Sequence, residues 1–309
     1  MNSKKIFTHA LTKVCITIDT EGDSANNPHS TFFGIKVALP KLLNLFSKYN
    51  IKATFFIQED EICQVGSIYS KLWKSLEHQG HEIGYHAHGL IKAPINKKEE
   101  IINRGIRKLR KLGLDPVSYR GGRFHLNGPL LKILEKNNIK YDSSVVPGLQ
   151  ENFNDGTERC NHFEAPRKPY FPSYENHNKE GNSRILELPI NRYPNFPSSM
   201  WGGMLAGGHN NEILFDYFHE IQKDKFIIVI LHTWEGISFV IRDAVRKNYG
   251  RIKKFAFESL GIIFSSNFLT NGTYLIQFDR FLRYVSEKKD VQFVTIRQAG
   301  ENIVKSKIE

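Results

Sequence analysis

Cysteine is scarce in this chain of 309 residues: there are three, Cys15, Cys63 and Cys160, in no Cys-x-x-Cys spacing. An odd number without paired spacing argues against a disulfide framework and for a reducing compartment. Long apolar runs are missing too. Lys4 and Lys5 open the chain, but Thr8, His9, Thr12 and Lys13 interrupt the apolar stretch behind them, which leaves no signal-peptide core. Nowhere do about 18 uninterrupted apolar residues occur, the length a membrane-spanning helix needs. Internal repeats and low-complexity runs are absent as well. The expectation is a soluble, cytoplasmic protein.

What is present is enough apolar sequence, 40% of residues, to build a sizeable core. The balance of charge is basic, with 43 Lys and Arg against 32 Asp and Glu, a formal net charge of +11. Such an excess suits nucleic acid, an anionic membrane surface or phosphorylated substrates. The basic residues are mostly scattered, and no nucleic-acid-binding module is recognisable, so no nucleic-acid partner is expected. One concentrated stretch, Arg242 to Lys254, runs into the apolar segment from Phe255 to Phe268. Residues 242–257 could lie on a membrane surface as a basic amphipathic helix or simply be a solvated helix.

Strand-like and helix-like segments alternate along the chain. Val14–Ile18, Ala53–Ile57, His81–His86, Val117–Arg120, Ile139–Asp142, Ile185–Ile190, Phe226–Leu231 and Val291–Thr295 read as strands. Between most of them lie helical stripes such as Leu39, Leu42, Leu43 and Phe46, or Phe278, Phe281, Leu282 and Val285. Strands of roughly 5 residues and helices of roughly 12 predict a parallel α/β architecture. The rhythm breaks between Gly148 and Gly208, where Phe163, Tyr170, Phe171 and Trp201 call for burial or a ligand. The expectation is one domain over 1–309, with an elaborated loop region at about 148–208 and a basic and apolar insertion at about 240–270.

In parallel α/β folds, polar residues at the carboxyl ends of strands converge on one face. Here those ends carry Asp19 and Glu21, His86 and His88, Arg120, Asp142 and His232. Asp19 and Glu21 stand two apart at the end of a strand and can therefore point the same way. Two carboxylates so close repel unless a cation or a proton lies between them. His86 and His88, similarly spaced, complete a two-histidine, one-carboxylate set that suits zinc or another first-row divalent metal.

These segments resemble the polysaccharide deacetylase (NodB-homology) family, carbohydrate esterase family four. Ile16-Thr17-Ile18-Asp19-Thr20-Glu21 resembles its first motif in the Asp-x-Glu variant, and Ala53-Thr54-Phe55-Phe56 its second strand. Gly80 to His86 is similar to the approach to the second motif, and Tyr119-Arg120-Gly121-Gly122-Arg123-Phe124 to the third. Tyr141-Asp142-Ser143-Ser144 and Val229-Ile230-Leu231-His232 resemble the fourth and fifth. The resemblance implies a distorted (β/α) barrel of about seven parallel strands that removes an N-acyl, typically N-acetyl, group from an amino sugar. It implies Asp19 as general base, oriented by Arg120, and His232 as general acid, oriented by Asp142. Glu21 and His86 would hold a divalent metal: Zn2+ first, with Co2+, Ni2+ or Mn2+ as alternatives.

Two departures matter. The family's second motif spaces its histidines to require one at position 90, where this chain has Leu90, so His88 is expected as the substitute and Asp23 as the next candidate. Where the third motif usually has prolines, this chain has two glycines and Arg123, a cation suited to a phosphate or carboxylate on an anionic or lipid-linked substrate. Trp234 is the other substrate candidate. Two further readings are another non-peptide C–N hydrolase, such as a deformylase, and a non-catalytic sugar-binding protein with an incomplete metal set.

Overall fold

A computed structural model describes residues 11–22, 32–192, 211–236 and 272–308. Its strands are β1 (Thr12–Thr20), β2 (Thr54–Gln58), β3 (Glu82–Ala87), β4 (Ser118–Gly121), β5 (Tyr141–Asp142), β6 (Gln150–Asn152), β7 (Glu158–Asn161), β8 (Leu186–Glu187), β9 (Phe226–His232) and β10 (Val291–Phe293). Seven run side by side, all parallel, in the order β9-β1-β2-β3-β4-β5-β8, and β10 flanks the start of β1. Helices Leu39–Lys48, Ser70–His78, Ile95–Lys111, Gly128–Lys136 and Gly272–Ser286 accompany the strands. This is the distorted (β/α) barrel expected from the sequence.

Side-chain alternation on β1 separates two cores. Val14, Ile16 and Ile18 pack outward among helix residues such as Phe46, Trp73, Ile102, Leu131 and Phe278. Cys15 points the other way, into a smaller cluster with Phe56, Leu186, Leu188, Ile228 and Ile230 that fills the barrel. Each fully buried aliphatic side chain of this kind contributes about 1.5–3 kcal/mol. The parity that buries Cys15 carries Thr17 and Asp19 to the inner side, and the same alternation on β9 and β3 carries His232 and His86 there.

The barrel is not closed by a strand-to-strand ladder between β8 and β9. Asn191, four residues past β8, bridges instead: its Oδ1 accepts from Ile228 N at 2.8 Å and its Nδ2 donates to Phe226 O at 3.1 Å. At the opposite end from the site, helix Ile296–Ile308 plugs the barrel with Ile296, Ala299 and Ile303. That helix was not expected from the sequence. Nor was the antiparallel hairpin β6–β7 within the loop region. Tyr170 is buried and Phe171 partly so, but Phe163 stands 68% exposed. Trp201 and Asp23, and the basic segment with its apolar continuation at 240–270, lie outside the described residues.

Candidate metal and catalytic site

Glu21 lies just past the end of β1, His86 on β3 and His88 just beyond it; the structure brings all three together. Glu21 Oε1 is 3.2 Å from His86 Nε2 and 2.8 Å from His88 Nε2, and the two ring nitrogens are 2.9 Å apart. His86 Nδ1 donates to the Arg120 carbonyl at 2.8 Å, so in the neutral ring the Nε2 lone pair faces this cluster. Lone pairs from three groups thus converge in a place 4% exposed at Glu21 and 1% at His86. Facing lone pairs repel unless a positive charge lies between them. Zinc–nitrogen bonds of about 2.0–2.1 Å place tetrahedral ligand atoms roughly 3.3 Å apart, close to these separations. The residues present fit a divalent cation. Burial pushes the Glu21 carboxyl pKa up, but the neighbouring His88 and His86 pull it well below the usual value.

His88 lies beside Glu21 and His86, whereas Leu90 joins the outer core. Asp60, a residue the sequence did not single out, positions His88: its Oδ2 accepts the His88 backbone N–H at 2.9 Å, and its Oδ1 those of Ile62 and Cys63. The following turn, Gly122–Phe124, closes over the His88 ring. A Cβ on Gly122 would meet His88 Cγ at 2.7 Å, which is why glycine stands there. Arg123 follows with φ 56 and ψ 30, a left-handed backbone.

Arg120 is fully buried, yet four of its bonds are in place. Nε donates to Ser143 O at 2.8 Å, one terminal nitrogen to Thr17 Oγ1 at 2.8 Å and Asp19 Oδ1 at 2.9 Å, and the other to Ser143 Oγ at 3.0 Å. Its guanidinium also lies 4.4 Å over the Phe56 ring. Burial raises the Asp19 pKa, but Arg120, with His86 and His232, outweighs it and holds Asp19 below the ordinary value. Asp19 is therefore a dry, ionised carboxylate with one oxygen bonded to Arg120.

The other Asp19 oxygen lies 3.8 Å from His232 Nε2. His232 Nδ1 pairs with Glu235 Oε1 at 2.8 Å, and Tyr274 donates to Glu235 Oε2 at 3.2 Å. Burial lowers the His232 pKa, but the bond and charge of Glu235 raise it to about 9. Here the expectation for Asp142 as the partner of His232 is corrected. Asp142 accepts from Ser144 Oγ at 2.6 Å, and that hydroxyl in turn accepts the Gly121 N–H at 2.8 Å. Its second oxygen and one of Glu187 are buried with no hydrogen-bond partner among the described residues, and burial raises the pKa of both carboxyls, which favours a proton on the pair. Burial, then Asp142, raises the Glu187 pKa well above the usual value. Glu235 sits three residues past a strand in a short 3-10 turn and is invisible to strand-end reasoning. Trp234, a substrate candidate from the sequence, donates to Glu21 Oε2 at 3.3 Å and lies against the His232 ring, centroids 4.7 Å apart.

Fold and site together define a class: a parallel α/β barrel whose strand ends carry a carboxylate–imidazole cluster beside a buried carboxylate, arginine and histidine. The polysaccharide deacetylase family profile matches residues 14–141. A peptidoglycan deacetylase of Helicobacter pylori is 27% identical over 128 residues, 40% of this chain, and the match spans 42% of that protein's length. Among solved structures, a polysaccharide deacetylase homologue from Mycobacterium smegmatis superposes with a TM-score of 0.62 at 17% identity, covering 97% of this chain and 93% of the other. The allantoinase PuuE superposes with 0.60 at 13% identity, covering 94% and 89%. At such identities these two superpositions speak for the barrel alone. Residues 14–141 of this chain are thus similar to the polysaccharide deacetylase family, over less than half of its length.

Proposed function

We propose that this chain is, throughout its length, one catalytic domain: a metal-dependent hydrolase that removes an N-acyl group, acetyl first, from an amino sugar. The observation that carries the reading is the convergence of Glu21, His86 and His88 beside the Asp19–Arg120 pair and His232. A divalent cation held by Glu21, His86 and His88 supplies Lewis acidity toward the acyl carbonyl and toward water.

The chain's own residues do the rest. Asp19, kept ionised by Arg120, accepts the proton of the attacking water on its oxygen not bonded to Arg120. His232, protonated with Glu235 on its Nδ1, hands a proton from Nε2 to the departing sugar amine. Asp19 and His232 lie side by side, so one carries the proton in and the other carries a proton out without crossing the barrel. Asp142 acts at one remove, through Ser144 and the Gly121 backbone rather than on the imidazole. Zinc is the first choice of metal from the donor set, and a cytoplasmic, surface-polysaccharide precursor is the substrate setting that the cysteine usage favours. No helix among the described residues is long and apolar enough to cross a membrane.

The test is metal content by mass spectrometry on purified wild type and His88→Ala, with acetate release from N-acetylated chitooligosaccharides measured alongside. Near-stoichiometric metal in the wild type, lost with acetate release in the variant, is expected. A wild type that takes up no metal even when zinc or cobalt is added back would overturn the reading.

A further inference from the structure

Trp234 touches two parts of the site at once. Strands β1 and β9 pair with Asp19 opposite His232, so Glu21 and Trp234, each two residues further on, leave the sheet side by side. The turn Thr233–Gly236 is seated closely on the helical turn Gly34–Ala38. A Cβ on Gly34 would meet the Thr233 carbonyl carbon at 2.8 Å and Trp234 N at 2.9 Å. Thr233, fully buried, donates through Oγ1 to Glu21 O at 3.5 Å. The backbone that carries Trp234 is therefore fixed against the backbone that carries Glu21.

The two oxygens of Glu21 have different surroundings. Oε1 faces both imidazole Nε2 atoms, at 3.2 Å from His86 and 2.8 Å from His88. Oε2 accepts the Trp234 indole N–H at 3.3 Å, and no other described residue bonds it. An indole nitrogen donates and cannot accept, so it presents its positive end to that oxygen. A carboxylate with both oxygens free can chelate a divalent cation and fill two coordination positions. Tying one oxygen down leaves a single ligand atom, and a catalytic zinc site of three protein ligands needs the position so saved. The same indole lies on the His232 ring, centroids 4.7 Å apart and planes inclined by 30°. One rigid side chain thus spans from the carboxylate to the histidine.

We propose that Trp234 is a positioning residue of the candidate metal centre: its N–H holds Glu21 Oε2 out of the cluster, Glu21 binds a cation through Oε1 alone, and a position at the cation stays open for the substrate. This rests on the reading of Glu21, His86 and His88 as a metal site and deepens it. Trp234 acts on the reaction through Glu21 and His232 rather than as a platform for a sugar ring.

The experiment is an infrared difference spectrum, zinc-loaded minus metal-free, of wild type and Trp234→Phe carrying isotopically labelled glutamate. The gap between the two carboxylate stretching bands is wide for a one-oxygen ligand and narrow for a chelating one. A wide gap is expected in wild type and a narrowed one in the Phe variant, which keeps an aromatic ring against His232 but has no N–H. Zinc affinity, read by competition with a chromophoric chelator, should hold in that variant. Its kcat for acetate release should fall about tenfold with KM little changed, whereas a merely structural loss would weaken zinc binding instead. In the metal-free wild type, one indole N–H signal in the NMR spectrum should move upfield in Glu21→Gln, a check that stands even if the Phe variant fails to fold. A narrow gap in wild type, an equally wide gap in both proteins, or no indole signal that responds to Glu21→Gln overturns the assignment. A wild type that takes up no zinc removes this assignment and the metal-site reading together; zinc uptake with an unchanged gap removes the assignment of Trp234 alone.

Discussion

Glu235→Gln is the most informative single substitution, because it removes a charge from His232 and leaves a side chain of the same shape. With Glu235 in place the His232 pKa stands at about 9, although burial opposes it. Without that charge, burial pushes the ring back toward its ordinary value of about 6.5, with Glu21 and Asp19 still opposing it. The sign follows from the role. A general acid must be protonated, so activity is present below its pKa and lost as pH rises through it. At pH 8 a group of pKa 9 is about nine-tenths protonated, and one of pKa 6.5 about one-thirtieth, which predicts roughly a thirtyfold loss in kcat/KM. Near pH 6 the loss should be small. A cation on Glu21, His86 and His88 adds positive charge that lowers both limbs, so the displacement between wild type and variant is the quantity to read. The assay is kcat/KM for acetate release from pH 5 to 10, with Tm recorded to confirm the fold. A uniform fall in rate at every pH, with the alkaline limb unmoved, would refute the assignment of Glu235 to His232.

Two further substitutions probe the supports of the site. Gly122→Ala places a methyl group 2.7 Å from His88 Cγ. It should weaken zinc binding by about ten- to a hundredfold without touching a ligand, as read by competition with a chromophoric chelator; unchanged affinity would show that the His88 ring is not held by that contact. Glu187→Gln mimics the protonated state that burial and Asp142 impose. A carboxyl whose folded pKa is raised costs stability as pH climbs above its unfolded pKa of about 4.3. The variant's Tm should therefore fall less than the wild type's between pH 5 and 9, and parallel curves would mean that the pair carries no shared proton.

Much of the barrel was legible because alternation and burial coincide on its strands. Cys15, Thr17 and Asp19 share a face simply because they are two apart, and the reading of Glu21, His86 and His88 as one cluster needed no more than that. What escaped depended on side chains meeting across the barrel. Glu235 and Asp60 reach the site from turns with no periodic signal, and the partner of His232 was misassigned because motif order does not say which carboxyl faces which imidazole. The plug helix Ile296–Ile308 hides its apolar spacing among Arg297, Gly300 and Glu301. Hairpin β6–β7 is short, mostly exposed and twisted by a bulge, so no pattern of buried residues marks it.

The position of β1 in the sheet also orders events during synthesis. Its neighbours are β2, close by in sequence, and β9, joined to it by contacts such as Thr17 to Val229 across 212 residues. At about 5–20 residues per second, the strand bearing Asp19 waits roughly ten to thirty seconds after β2 emerges before β9 can cover its other edge. The three candidate metal ligands and Arg120 all emerge early, whereas His232 and Tyr274 come near the end. A nascent chain can thus gather its cation ligands long before it owns its acid, and it carries an open, apolar strand edge in the interval, when chaperone demand should be greatest.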